Sequence, residues 1–224
     1  AVLLADSFTV VQYDRRGRGH SGDTQPYAVG REIEDLAAVI EAVGGHASLL
    51  GMSSGSVLAI EAAASGLPVD KIVVYEPPFI VDDSRPGFPE DYVETLDGFI
   101  AQGKRGEAVE YFMTVAVGIP ADQVDGMKAS PFWPVMEGVA HTIAYDGRIM
   151  VDAFIDKKLP VDRWSTVAAP GLVLDGDASF AFMKAAADAV ADALPNANRE
   201  TLAGQTHGAD PAVIAPVLKR FLGS

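Results

Sequence analysis

The stretch Gly51-Met52-Ser53-Ser54-Gly55 restricts more than any other what this chain can fold into. It reads G-x-S-x-G and lies between an apolar strand pattern at Ala47 to Leu50 and an alanine-rich helix pattern from Val57 to Ala64. A serine lifted out of a sharp strand-to-helix turn has this signature, because glycines on either side remove Cβ atoms that would clash there. The helix begins beneath the serine with its first N–H groups unbonded, so partial positive charge faces any oxyanion formed at that point. Five such letters also arise by chance, and it is the strand before and the helix after that give them meaning.

Around this turn the chain alternates. Phe8 to Tyr13 is expected as a strand, after a helix end at Ala1 to Asp6. Ile33, Leu36, Ala37, Ile40 and Val43 recur at helical spacing, and Gly44-Gly45 ends that helix. Lys71 to Tyr75 is a nearly continuous apolar run, as in a parallel strand covered on both faces, and it ends in Glu76-Pro77-Pro78. Strand, helix, strand, helix, strand in that order implies a parallel α/β sheet.

From Phe79 to about Val167 the alternation stops. Three helical faces replace it: Tyr92, Leu96, Phe99 and Ile100; Val109, Phe112, Met113 and Ala116; Met136, Val139, Ala140 and Ile143, with Pro120, Pro131 and Pro134 between them. The α/β pattern resumes with a strand at Gly171 to Leu174, a helix through Met183, Ala187, Val190 and Leu194, a strand at Arg199 to Leu202, and a helix carrying Val213 to Phe221. The expected division is an α/β core over 1–78 and 168–224 with a helical lid over 79–167.

Gly17, Gly19 and Gly22 spell G-x-G-x-x-G, and the arginines beside them would suit a phosphate. A dinucleotide turn must open directly into a helix, however, and Asp23-Thr24-Gln25-Pro26 is loop chemistry. The better reading is a tight turn whose Arg and Asp side chains tie loops together. The 224 residues, 49% hydrophobic, suffice for one sizeable core. With no cysteine, disulfides, zinc–thiolate sites and cysteine nucleophiles are excluded, and a cytoplasmic location is expected. A net charge of −14 argues against nucleic acid or an anionic membrane as partner, and no apolar run approaches a membrane span.

Taken together, these pieces resemble the α/β-hydrolase superfamily in its lid-bearing branch of esterases, epoxide hydrolases and dehalogenases. The matching pieces are the D-R-R-G-R-G-H-S-G turn at Asp14 to Gly22, the turn at Ser53, the helical insertion, the L-V-L-D-G strand at Leu172 to Gly176, and the histidine of Gly204-Gln205-Thr206-His207. They span nearly the whole chain and specify the fold more closely than the substrate. The resemblance implies Ser53 as nucleophile and His207 as its base. Serine in place of the aspartate used by epoxide hydrolases and dehalogenases points to acyl transfer. His20, His46 and His141 fit the base less well, with His141 a candidate for touching substrate.

At the acid this sequence departs from the family. The usual aspartate position is occupied by Ser179, in Gly176-Asp177-Ala178-Ser179. Three carboxylates compete: Glu76, at the end of the strand next to that of the serine, then Asp177, then Asp175. Glu76 is preferred, since it leaves the same sheet edge and keeps the order nucleophile, acid, base. The backbone N–H of Ser54 is expected as one oxyanion donor. The second normally follows an earlier strand, which implies about 25–40 further residues ahead of Ala1 on usual βαβ lengths.

Phe132, Trp133 and Met136, beside two prolines, are expected as pocket wall. The function expected is hydrolysis of a small or medium hydrophobic carboxylic ester or lactone through an acyl-enzyme, with no metal or cofactor. C–C bond hydrolysis or perhydrolysis would use the same serine. A ligand-binding or regulatory hydrolase-like protein is the alternative from another class. Oligomeric state is not legible.

Overall fold

The computed structural model describes residues 1–223. The chain forms two compact units, one of Ala1–Tyr13, Gly30–Pro86 and Asp152–Ser224, the other of Asp14–Val29 and Gly87–Val151.

The first unit is built on a parallel sheet of four strands in the order β1-β2-β3-β4: β1 Ala47–Met52, β2 Val69–Tyr75, β3 Gly171–Gly176 and β4 Ala197–Leu202. Helix α1 (Val29–Ala42) precedes β1 and α2 (Ser54–Ala64) follows it. The α1 face of Leu36 and Ile40 packs with Ala62 of α2, which accounts for its helical spacing. Ser56 to Ala62 of α2 are buried without a break, and the one charged residue among them, Glu61, is bonded by Arg163 and Trp164 at 2.7 and 2.8 Å. All six residues of β3 are buried, as are Ile72 to Tyr75 of β2. The pleat sends alternate side chains to opposite faces. Val73, Tyr75, Leu172 and Leu174 thereby share one core with Leu4, Leu202 and the Ala215, Val217 and Leu218 face of the last helix, Pro211–Leu222.

The second unit is helical. It contains α3 (Tyr92–Ala101), α4 (Arg105–Tyr111) continued by a π-helical turn at Phe112–Val117, α5 (Ala121–Met127) and α6 (Trp133–Val139), with α7 (Ile143–Asp156) beginning within it. Its core joins Tyr92, Val93, Leu96, Ala108, Val109, Val124, Trp133, Ala140 and Ala144. Then come α8 (Val161–Trp164), α9 (Ala181–Ala193) between β3 and β4, and the last helix, α10.

Two expectations need correction. Phe8 to Tyr13 is not a strand: Val10 is 37% and Val11 49% exposed, and only a 3₁₀ turn, Val2–Leu4, precedes them. An extended segment becomes a strand through ladder bonds to a neighbour, and β1, the edge of the sheet, pairs with β2 alone. Leu50 and Met52 on that edge are 51% and 45% exposed. The second correction concerns the glycine turn, which groups with the helices and not with the sheet. Arg15 and Arg18 both bond Asp146, at 2.9 and 2.8 Å, and Tyr27 stacks on Tyr145 at 4.0 Å. No helix follows Gly22 until Val29, so the turn lacks the helix start that a pyrophosphate needs.

Candidate active site

The turn at Ser53 is held in a conformation that side chains seldom adopt. Ser53 has φ +54°, where most residues clash with their own backbone, and its N–H bonds the Tyr75 carbonyl at 3.0 Å. A Cβ at residue 51 would lie 2.2 Å from the Gly55 carbonyl oxygen, so only glycine lets α2 start this close to β1. Ser56, fully buried, donates its hydroxyl to the carbonyls of Gly51 and Tyr75 at 3.0 and 3.1 Å. It thereby ties helix, turn and neighbouring strand together. Ser53 itself is half-buried at the head of α2, and Ser54 is the first helical residue. Among the described residues Ser53 Oγ has no hydrogen-bond partner.

Glu76 follows β2 immediately. It too has positive φ, +48°, and is fully buried. Three donors converge on its carboxylate. The N–H of Gly176 reaches Oε1 at 2.9 Å, the Ser179 hydroxyl reaches Oε2 at 2.8 Å, and His207 Nδ1 lies 2.7 Å from the same Oε2. The structure thus brings together Glu76 and His207, which are 131 positions apart. The His207 side chain is about a third exposed.

The other two carboxylates are engaged elsewhere. Asp175, on β3 and buried, pairs with Arg199 Nη1 at 2.9 Å. Asp177, exposed, accepts the Gly204 N–H at 2.6 Å. That bond ties the Asp177 turn to the loop of His207, as does the bond from the Ala178 N–H to the Gln205 carbonyl at 3.0 Å. Tyr75 adds a further restraint, donating its hydroxyl to the Thr206 carbonyl at 2.5 Å. Burial, followed by the negative charges of Glu76 and Asp175, pushes the Tyr75 phenol up to about 12, which keeps it a donor at neutral pH.

His20 is exposed in the glycine turn near Asp14, and His46 is exposed and pairs with Asp70 at 2.7 Å. His141 lies in the helical unit with a buried Nδ1 that has no partner among the described residues. Of the three expected pocket residues, Trp133 is instead core of the helical unit. It is 5% exposed and donates its indole N–H to Glu137, because its position at the start of α6 turns it inward against Val109 and its neighbours. Met136 packs partly buried on the same core, and Phe132 is 61% exposed.

Sequence reasoning missed Ser179, Ser56 and the Tyr75 hydroxyl as parts of the site. Ser179 carried a signal, standing where related chains carry the acid; the other two stood only next to residues already singled out.

The comparisons with known proteins agree on the class. The chain belongs to the alpha/beta hydrolase family, whose model matches residues 1–217. It is similar, at 54% identity and a TM-score of 0.89, to an alpha/beta hydrolase from Sphaerobacter thermophilus DSM 20745, with 98% of this chain and 84% of that one covered. At lower identity the fold is shared with the enol-lactonase from Burkholderia xenovorans LB400 (20%, TM-score 0.66, 100% and 84% covered). It is also shared with 2-hydroxy-6-oxo-6-phenylhexa-2,4-dienoate hydrolase from Rhodococcus sp. strain RHA1 (17%, TM-score 0.66, 100% and 83% covered). No curated protein matches the chain.

Proposed function

We propose that this alpha/beta hydrolase is a serine hydrolase that cleaves a small or medium hydrophobic carboxylic ester or lactone through an acyl-enzyme. The observation that carries the reading is the 2.7 Å contact between His207 Nδ1 and a fully buried Glu76, at the end of the strand that pairs with the strand of Ser53. With Nδ1 engaged by the carboxylate, Nε2 is the nitrogen left to act as base.

Ser53 Oγ attacks the acyl carbonyl while His207 Nε2 takes its proton. The imidazolium is stabilised by Glu76 and the oxyanion by the N–H of Ser54. Collapse of the tetrahedral intermediate breaks the bond to the leaving oxygen, which receives the proton from His207. Water then attacks the acyl-enzyme with His207 again as base, and the carboxylic acid and free Ser53 are regenerated. No step requires a metal or organic cofactor. The cysteine-free chain is proposed to work in the cytoplasm.

A second reading is a ligand-binding protein of the same fold with weak or no turnover. It is motivated by Ser179, which stands where the resemblance implies an aspartate. A fluorophosphonate probe separates the two. Stoichiometric labelling that disappears in Ser53→Ala is expected; an unlabelled protein that still binds hydrophobic acyl compounds would establish the second reading.

A further inference from the structure

Glu76 and His207 meet a third segment, Gly176 to Ser179, whose side chains have no part in the steps above. Backbone bonds from Asp177 to Leu202 at the end of β4 and from Ala178 to Gln205 in the loop of His207, at 3.2 and 3.0 Å, lace it in place. A Cβ at residue 176 would sit 2.1 Å from the Gln205 carbonyl oxygen, so the two loops touch where the glycine is. From this braced turn the Ser179 hydroxyl reaches 2.8 Å to Glu76 Oε2, the oxygen that also faces His207.

The geometry leaves Glu76 little else to hold its aim. The side chain is fully buried, so its donors are parts of the protein. Rotation of the carboxylate about its terminal torsion is a soft and broad degree of freedom, and the Gly176 N–H opposes it at Oε1. Ser179 and His207 oppose it at Oε2, and under the proposed mechanism the charge of His207 changes in every turnover. The Ser179 hydroxyl donates to the same oxygen and stays neutral throughout.

We propose that Ser179 is a positioning residue of this active site, its hydroxyl aiming Glu76 at His207 while the imidazole changes charge. This rests on the reading of Ser53, His207 and Glu76 given above.

The test compares Ser179→Thr with Ser179→Val, side chains of one shape of which only threonine keeps the hydroxyl, and adds Ser179→Ala as a smaller hydroxyl-free variant. Hydrolysis of p-nitrophenyl butyrate gives kcat and KM, and fluorophosphonate labelling of Ser53 is followed in the same samples. Val and Ala should lower kcat about tenfold with KM within about twofold, as for the loss of one hydrogen bond to a charged group, while Thr stays within about threefold of the parent. A further arm uses length: aspartate reaches one atom beyond serine, and Ser179 Oγ already lies one oxygen away from His207 Nδ1. Glu76→Gln/Ser179→Asp should therefore exceed Glu76→Gln alone by about tenfold or more. Val and Ala matching Thr in kcat, or a loss confined to KM, would overturn the proposal. A parent protein that neither labels nor hydrolyses would overturn the underlying reading instead, before any variant is compared.

Discussion

Replacing Glu76 by glutamine keeps the shape of the side chain and changes only what it can accept and donate. The carboxylate meets three donors: the Gly176 N–H, the Ser179 hydroxyl and His207 Nδ1. Glutamine offers one accepting oxygen and one donating NH₂. The backbone N–H of Gly176 cannot reverse its role, so the oxygen must turn to it and the NH₂ must face Ser179 and His207. A serine hydroxyl can turn and accept. The imidazole can accept at Nδ1 only by carrying its proton on Nε2, the nitrogen that must take the proton from Ser53. The variant is thus folded, satisfied and in the wrong tautomer. For the analogous replacement in a serine protease, kcat falls about 10⁴-fold. Allowing for looser restraint of a third-exposed histidine, the loss expected here is about 10³–10⁴-fold in kcat, or ~4–5.5 kcal/mol of barrier. Asp177→Asn should cost less than about fivefold, because an amide oxygen can still accept the Gly204 N–H that Asp177 accepts. Initial rates on p-nitrophenyl butyrate, with circular dichroism to establish folding, decide the matter. A folded Glu76→Gln within tenfold of the parent, or an Asp177→Asn that loses more, would refute the argument.

Two further outcomes follow from the same region. Gly51→Ala places a methyl group 2.2 Å from a backbone oxygen that cannot move aside alone, and should destabilise the fold by about 3 kcal/mol or more, lowering Tm by at least ~6 °C; an unchanged melting curve would exclude this close packing of β1 on α2. Tyr75 holds its proton up to about 12 when folded, against about 10 when unfolded, so its contribution to stability is intact below pH ~10 and is lost as pH rises toward 12. Urea midpoints of Tyr75→Phe should fall less steeply than those of the parent over that window, and parallel curves would count against the assignment.

What could be read in the sequence was what short-range pattern controls. The turn at Ser53 announced itself because strand, glycines and helix are contiguous, and the helices of 92–116 did so because their apolar faces repeat within a few turns. Pattern failed where the answer lay in a distant partner. Val10 and Val11 look like strand residues, yet a strand also needs a ladder, which local composition does not contain. Trp133 beside its prolines looked like a pocket residue; only the packing of α6 on α4 decides that it turns inward. Among the three acids the sequence offered position alone. Asp175 meets Arg199 because β3 and β4 pair with Val173 opposite Arg199, a register that no local signal encodes.

Those partners also distinguish the three acids chemically. Asp175 has a permanent cation against it, so a new positive charge nearby gains little from a carboxylate already neutralised. Asp177 is exposed, and water and salt weaken its field within a few ångströms. Glu76 is buried and faces a backbone amide, a hydroxyl and an imidazole, none of them a fixed cation. Its charge is stabilised by dipoles that hold it in place without cancelling it. Under the proposed mechanism the imidazolium appears only as the transition state forms, and an interaction accelerates the reaction to the extent that it strengthens at that moment. A carboxylate held by neutral donors in a dry site meets that condition, and a carboxylate paired in advance with arginine does not. Serine at position 179 belongs to the same logic: a neutral hydroxyl fixes the direction of Glu76, where another carboxylate less than 3 Å away would repel it.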